Sequence, residues 1–120
     1  MVALIRCVCD IGVMAMTLDS AARSLAELGS PTRLEIFRLL VRAGADGLAV
    51  GDIQRHLAIP KSTLSHHLQR LIMAGLMEQA REGRTLRCRV IYGHVDALLS
   101  YLTEDCCAGL DACAADADAA

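Results

Sequence analysis

Three cysteines lie close together near the end of the chain, at Cys106, Cys107 and Cys113. Three thiolates form a soft trigonal ligand set that suits a thiol-seeking ion and suits a hard cation poorly. The fourth ligand that tetrahedral zinc prefers is not evident nearby. In an unbroken helix, Cys106 and Cys113 would lie about 10 Å apart along the axis, too far for one ion. We therefore predict that a helix ends near Cys107 and that residues 108–112 turn back, which Gly109 allows. The alternative is a site completed by a cysteine of a second subunit.

The other three cysteines carry weaker signals. Cys7 and Cys9 have the spacing of metal ligands, but no periodic element supports them, and Cys88 falls in a predicted strand where we expect it to pack. No secretory signal is recognisable and no apolar run approaches membrane-spanning length. We therefore expect a cytoplasmic protein with reduced thiols, where clustered cysteines more often bind metal or do redox work.

Composition and charge point to a small aliphatic domain with a basic centre. The 120 residues suit one domain, and they are 54% hydrophobic but only 2% aromatic. Residues 54–91 hold seven Lys/Arg against two Glu, a net +5, whereas residues 1–53 carry −1 and residues 92–120 carry −6. A basic segment between acidic ends indicates an electrostatic footprint for phosphate that the overall charge of −2 hides.

Two helices are predicted ahead of the basic segment. Thr17 or Asp19 caps the first helix, which has Leu25 and Leu28 inward and ends at Gly29. The second helix starts at Ser30-Pro31, because serine is a good cap and proline fits the first helical turn. Its apolar face comprises Leu34, Ile36, Phe37, Leu40 and Val41.

The basic segment contains a helix-turn-helix pattern. A short helix over about Val50–Leu57 is followed by a tight connection at residues 58–60 and a helix over residues 61–74. The inward stripe of the second helix is Leu64, Leu68, Leu71 and Ile72. The opposite face is short and polar.

A hairpin and a last helix follow. Strands over Leu76–Ala80 and Leu86–Ile91 flank a basic turn at residues 81–84, which is typical of a wing. A helix over about residues 94–105 carries an apolar stripe with little core left to cover, so we expect it to pack on a partner. The predicted divisions are a loosely ordered arm at 1–16, a domain at 17–107, and an Ala/Asp-rich tail at 108–120 whose last residues are disordered.

Three sequence runs together resemble the ArsR/SmtB family of metalloregulatory repressors. These are residues 29–36 (GSPTRLEI), residues 61–68 (KSTLSHHL), and Gly75-Leu76 leading into residues 81–84 (REGR). The resemblance implies a mainly α fold with a small β-hairpin, a winged helix-turn-helix, and a homodimer formed through the first and last helices. It also implies a non-enzymatic repressor that an inducer releases from its operator. The expected dimer contacts are Leu18, Leu25, Val95, Leu98, Leu99 and Leu102.

The expected DNA contacts follow from the polar face and the basic hairpin. Ser62, Thr63 and His66 would reach base edges in a major groove of double-stranded operator DNA, while His67 is expected to pack or hydrogen-bond. One module reads few bases, so a dimer on an inverted repeat is expected, with no membrane partner. Arginine and lysine would meet phosphates. The full predicted set is Lys61, Ser62, Thr63, Ser65, His66, Gln69, Arg70, Arg81, Arg84 and Arg87.

The sensor sites that the resemblance implies elsewhere are missing. Arsenic-responsive members carry a Cys-Val-Cys-Asp run before the reading helix, where this chain has Ala49 and Gly51. Zinc-sensing members use paired ligands on the last helix, but His94 has only Asp105 at the matching position. The cluster at residues 106–113 is similar to the C-terminal arsenite site of some members. The implied inducer is As(III) or Sb(III), which would derepress arsenic-resistance genes.

Two alternatives stay open. A thiol-redox or persulfide-responsive repressor of the same fold is the first, but Glu104, Asp105 and Asp111 disfavour the thiolate that oxidation needs. A small thiol enzyme or metal carrier is the second, but no general base or redox loop lies beside the thiols. We favour the arsenic-responsive repressor, with no catalytic cofactor.

Overall fold

The computed structural model describes residues 16–110, which form a mainly helical domain with a small sheet. The predicted arm, the end of the tail, and Cys7, Cys9 and Cys113 lie outside the described residues, so the predictions made for them stay predictions. No helix within residues 16–110 is long and apolar enough to cross a membrane. The elements are α1 Leu18–Leu28, α2 Pro31–Ala43, β1 Leu48–Ala49, α3 Val50–Leu57, α4 Lys61–Met73, β2 Met77–Glu82, β3 Thr85–Val90 and α5 Tyr92–Thr103.

The first two helices begin where their sequence signals predict. The Thr17 hydroxyl accepts a hydrogen bond from the Ser20 amide at 3.0 Å, so Thr17 rather than Asp19 caps α1. The Ser30 hydroxyl accepts from the Arg33 amide at 3.4 Å, and Pro31 occupies the first helical position of α2. Both side chains satisfy amides that a helix start leaves unpaired.

The core is aliphatic and lies between α2, α3, α4 and the sheet. The predicted stripe of α4 is confirmed, because Leu64, Leu68 and Leu71 are buried. Cys88 is fully buried and packs in this core, as predicted. The apolar face of α2 is narrower than predicted, because Leu34 is 43% exposed.

The inward face of α1 differs from the prediction. Leu25 is 43% exposed, and the buried residues of α1 are Ala21, Ser24 and Glu27. Leu28 is half-buried and packs on the core. A serine and a glutamate thus occupy the face on which the pattern predicted leucine, because each has a polar partner on another helix.

The sheet has the order β1-β3-β2, and every pairing is antiparallel. The hairpin strands run closer to the turn than predicted, and only Gly83 and Arg84 lie between them. Arg81 and Glu82 are paired strand residues. The two-residue β1 was not predicted; it follows Gly47 (φ 67°), where a Cβ would lie 2.1 Å from the Cys88 carbonyl oxygen. Only glycine fits this approach.

The last helix, α5, begins and ends two residues earlier than predicted. It ends at Thr103, ahead of the thiols, instead of continuing to the neighbourhood of Cys107. Leu98 is only 3% exposed and Val95 packs against the core. Leu98 is thus covered within the single chain and Val95 is half-buried, and their role as dimer contacts stays a prediction.

One carboxylate joins three helices. Glu27 of α1 is buried, and its side chain accepts hydrogen bonds from Arg70 of α4 at 2.9 to 3.2 Å. The Arg33 Nε of α2 lies 3.1 Å from Glu27 Oε1 and donates to the Glu27 carbonyl oxygen at 2.8 Å. We call Glu27, Arg33 and Arg70 the Glu27 ion cluster. The hydrogen bonds from Arg70, assisted by the charges of Arg70 and Arg33, lower the pKa of Glu27, although burial opposes them.

A second polar contact of α1 joins it to the end of α4 and to the start of α5. Ser24 Oγ lies 2.7 Å from His94 Nε2 and 3.4 Å from the Ala74 carbonyl oxygen, to which it donates. Gly75 (φ 83°) follows, and a Cβ there would lie 3.3 Å from the His94 ring. His94 thus has a structural partner within the chain.

The lowered pKa of Glu27 predicts an acid-dependent loss of stability. Its contribution is complete above the ordinary glutamate value of 4.5 and is lost as the pH falls through the folded pKa. We expect Glu27→Gln to lower the urea midpoint at neutral pH, and the gap to wild type to narrow below pH 4.5. The measurement is urea unfolding against pH at fixed protein concentration. A gap that stayed constant or widened on acidification would contradict the assignment.

Candidate nucleic-acid interface and thiol cluster

The outer face of α4 is exposed and polar over its first half. The residues Lys61, Ser62, Thr63, Ser65 and His66 are all exposed, whereas Leu64, Leu68 and Leu71 are buried. Gln69 is exposed one turn further on. Short hydroxyl and imidazole side chains at the start of such a helix can approach base edges closely, and their groups donate and accept hydrogen bonds.

The wing and the start of α4 enclose a positively lined cleft of about 440 Å³. Three of the predicted phosphate contacts, Lys61, Arg81 and Arg84, line this cleft. Arg55 of α3 also lines it and was not singled out from the sequence, although it lies in the +5 segment. Arg55 forms an ion pair with Asp52 one turn away. The cleft thus gathers four basic side chains on one surface.

Two of the predicted phosphate contacts have partners inside the protein. Arg70 is held by Glu27, as described above. Arg87 Nε lies 3.0 Å from Glu82 Oε1, and Arg87 Nη1 donates to the Asp46 carbonyl oxygen at 3.3 Å. Arg89 also holds Glu82, at 2.8 Å, and is the main cause of the lowered pKa of that carboxyl. Glu82, which pairs with Thr85 beside the turn of the wing, therefore binds two arginines of β3.

The two adjacent histidines of α4 have different surroundings. His66 is exposed, whereas His67 is half-buried and its Nδ1 lies 3.3 Å from Arg33 Nη1. Burial, with the nearby charge of Arg33, lowers the pKa of His67. This confirms the expectation that His67 hydrogen-bonds within the protein.

The thiols follow α5 in a series of tight turns. Asp105, Cys107 and Gly109 adopt positive φ angles of 61°, 63° and 87°. Because of these turns, the exposed Cys106 and Cys107 bring their Sγ atoms to 3.5 Å. Cys113 is outside the described residues. Within residues 16–110, no group of three or more His, Cys, Asp or Glu side chains is arranged to hold a metal ion.

Exposed apolar side chains lie on the first and last helices. Leu18 is 70% exposed on α1, and Leu99 and Leu102 are 57% and 51% exposed on α5. With Leu25, these are the predicted dimer contacts that the single chain leaves uncovered. Met73 is also exposed, at 68%, and was not predicted.

Comparisons with known proteins relate this chain to transcriptional regulators with a helix-turn-helix domain. Residues 28–80 match the family of the helix-turn-helix domain. The chain is 38% identical over 65 residues to the uncharacterized HTH-type transcriptional regulator MJ1325 of Methanocaldococcus jannaschii, which covers 54% of this chain and 71% of that protein. It is 36% identical over 59 residues to the putative arsenical resistance operon repressor ArsR2 of Halobacterium salinarum, which covers 49% of each chain.

A solved structure has the same winged helix-turn-helix fold. The homodimeric winged helix-turn-helix DNA-binding domain of Mb0332 from Mycobacterium bovis, a possible ArsR-family transcriptional regulator, is 30% identical with a TM-score of 0.59. The match covers 73% of this chain and 82% of that one. The relatives are regulators that carry a DNA-binding fold, not enzymes. The chain belongs to the ArsR/SmtB family of winged helix-turn-helix transcriptional regulators.

Proposed function

We propose that this regulator is a homodimeric repressor that trivalent arsenic or antimony releases from its operator by binding the C-terminal cysteines. The observation that carries the proposal is the 3.5 Å separation of the exposed Cys106 and Cys107 Sγ atoms. Metal–thiolate bonds are about 2.3 Å long, so one atom can bond both sulfurs at this separation. Cys113 then supplies the third thiolate of a soft trigonal site. The likeness to a putative arsenical resistance operon repressor supports arsenic-resistance genes as the target.

The DNA-binding surface of the proposal is the exposed half of α4 with the basic cleft. Ser62, Thr63 and His66 read base edges in the major groove, with Ser65 and Gln69 beside them. Lys61, Arg81 and Arg84 contact phosphates, which give affinity without sequence information. Arg55 adds a fourth phosphate contact.

Dimerisation supplies the second reading helix, which binds the second half-site of the operator. The exposed leucines of α1 and α5, Leu18, Leu25, Leu99 and Leu102, would lose water against a second copy. A two-fold dimer presents two copies of α4, and the matching operator is an inverted repeat.

The inducer acts where α5 ends. The thiols begin three residues after Thr103, and the exposed Leu99 and Leu102 lie on the last turns of the same helix. Binding a metalloid would reorder the turns at residues 104–109 and so the end of the proposed dimer helix. A coupling free energy of about 1–3 kcal/mol, which weakens DNA binding roughly 5- to 150-fold, is enough for release.

A thiol-redox or persulfide-responsive repressor is the second candidate. The same 3.5 Å contact of Sγ atoms favours it, because neighbouring thiols can also be oxidised together. The two candidates share the fold and the DNA surface and differ only in the inducer. Arsenite, peroxide and polysulfide, applied to the same protein–DNA complex, separate them.

Substitutions on the outer face of α4 should weaken sequence-specific binding to DNA. Thr63→Ala and His66→Ala each remove a base contact, so affinity for a duplex that the wild type selects from a random library should fall about 5- to 150-fold. Affinity for a scrambled duplex should hardly change. Thr103→Ala is the matched control on α5 and should bind as wild type. Equal losses on both duplexes, or none, would contradict the assignment.

Substitutions of the thiols should prevent arsenite from releasing the protein from DNA. Cys106→Ser and Cys107→Ser should bind the selected duplex as wild type does but stay bound when arsenite is added, because each lacks a ligand. Gel shifts with increasing arsenite measure this. Cys9→Ser is the matched control and should be released like wild type. Release of either site variant at the wild-type arsenite concentration would show that the inducer binds elsewhere.

A further inference from the structure

We propose that the Glu27 ion cluster fixes the orientation of the reading helix α4 against α1, so that Arg70 is a positioning residue and not a phosphate contact. This inference rests on the proposed DNA binding by α4. It assigns a role in DNA reading to Glu27 and Arg33, neither of which lies on the reading face.

The geometry of Arg70 commits it to Glu27. Arg70 Nη2 donates to Glu27 Oε2 at 2.9 Å, and Arg70 Nε lies 3.1 and 3.2 Å from the two carboxylate oxygens. The Arg70 side chain is about half exposed, but the Glu27 side chain is only 10% exposed. If Arg70 turned to a DNA phosphate, it would leave a buried carboxylate with Arg33 alone. Losing one partner of a buried charge is strongly unfavourable, so Arg70 stays paired with Glu27.

The cluster holds α4 at two points one turn apart. Arg70 is the first, through Glu27, and His67 is the second, through the 3.3 Å contact of its Nδ1 with Arg33 Nη1. Residues three apart lie on the same side of a helix, so both contacts act on one face of α4. Two contacts on one face fix the rotation of a helix about its axis as well as its position.

The rotation of α4 determines which side chains face DNA. A change in rotation moves Ser62 and His66 away from the base edges, whereas Arg81 and Arg84 of the wing can still approach phosphates. The cluster also ties α4 to α1, whose exposed Leu18 and Leu25 belong to the proposed dimer surface. It therefore helps to set the separation of the two reading helices, on which binding to two half-sites depends.

The test compares specific and non-specific binding. Variants Glu27→Gln, Arg70→Gln and Arg70→Lys are measured on a duplex that the wild type selects from a random library and on a scrambled duplex of the same composition. We expect each to weaken binding to the selected duplex about tenfold and binding to the scrambled duplex less than about twofold. Arg70→Lys keeps the charge but loses the two-pronged contact, so it should behave like Arg70→Gln. Glu27→Gln with Arg70→Gln should lose no more than either single change.

Salt dependence separates positioning from phosphate contact. Arg81→Gln is the control, since loss of one phosphate contact should reduce the slope of log affinity against log salt by about 0.9 and weaken both duplexes. The Arg70 variants should keep the wild-type slope. A reduced slope for Arg70→Gln with normal binding by Arg70→Lys would overturn the proposal, as would wild-type specificity in Glu27→Gln. Far-UV circular dichroism at the assay temperature confirms that each variant is folded.

Failure of the proposed function gives a different result. If the wild type enriches no duplex from the library and binds no DNA at low salt, the DNA-binding proposal fails, and the role of the cluster fails with it. If the wild type selects a duplex and the variants retain its affinity, only the role of the cluster fails.

Discussion

A single buried carboxylate organises the helices of this domain. Glu27 is almost fully covered, and burying a charge is costly unless partners surround it. Here the partners come from two other helices, Arg33 from α2 and Arg70 from α4. The packing of α1 against the reading helix thus depends on satisfied polar contacts rather than on apolar contact alone. Such contacts are directional, so they specify one arrangement where aliphatic side chains would allow several.

The polar contacts of α1 compensate for a core that offers little geometric specificity. The chain has one Phe and no Trp, and its buried side chains are mainly Leu and Ile. Ser24, one turn before Glu27, contacts His94 of α5 and the Ala74 carbonyl at the end of α4. Through Ser24 and Glu27, α1 contacts both the reading helix α4 and the helix α5, which leads to the thiols. The start of α5 is therefore connected to the end of α4 through the hydrogen bonds of Ser24.

Local signals in the sequence predicted most of the elements. Ser30-Pro31 located the start of α2, and the stripe of Leu64, Leu68 and Leu71 located the inward face of α4. The bounds of α3 matched, and Gly47 and Pro60 lie three residues beyond its two ends. The family resemblance was also confirmed, because it rests on short runs whose order and spacing are specific.

Contacts between distant residues could not be predicted in this way. The contact of Arg70 with Glu27 could not be predicted, because the two residues are 43 positions apart and Glu27 belongs to an otherwise ordinary helix. The burial of Leu98 within the single chain was not predicted, because the sequence does not show how closely α5 packs on the domain. The end of α5 at Thr103 has no breaker residue beside it, so the pattern predicted a helix that continues to about Asp105. The two-residue strand β1 could not be predicted from its own residues, because it forms only by pairing with β3 of the hairpin.

In the proposed complex, two copies of α4 read successive major grooves on one face of an operator. Methylation interference on the duplex that the wild type selects tests it most directly, because methyl groups at guanine N7 project into the major groove. We predict two interfering clusters related by a two-fold axis, with centres about 10–10.5 base pairs apart or a multiple of that. A single cluster, or interference only from minor-groove methylation of adenine, would contradict it.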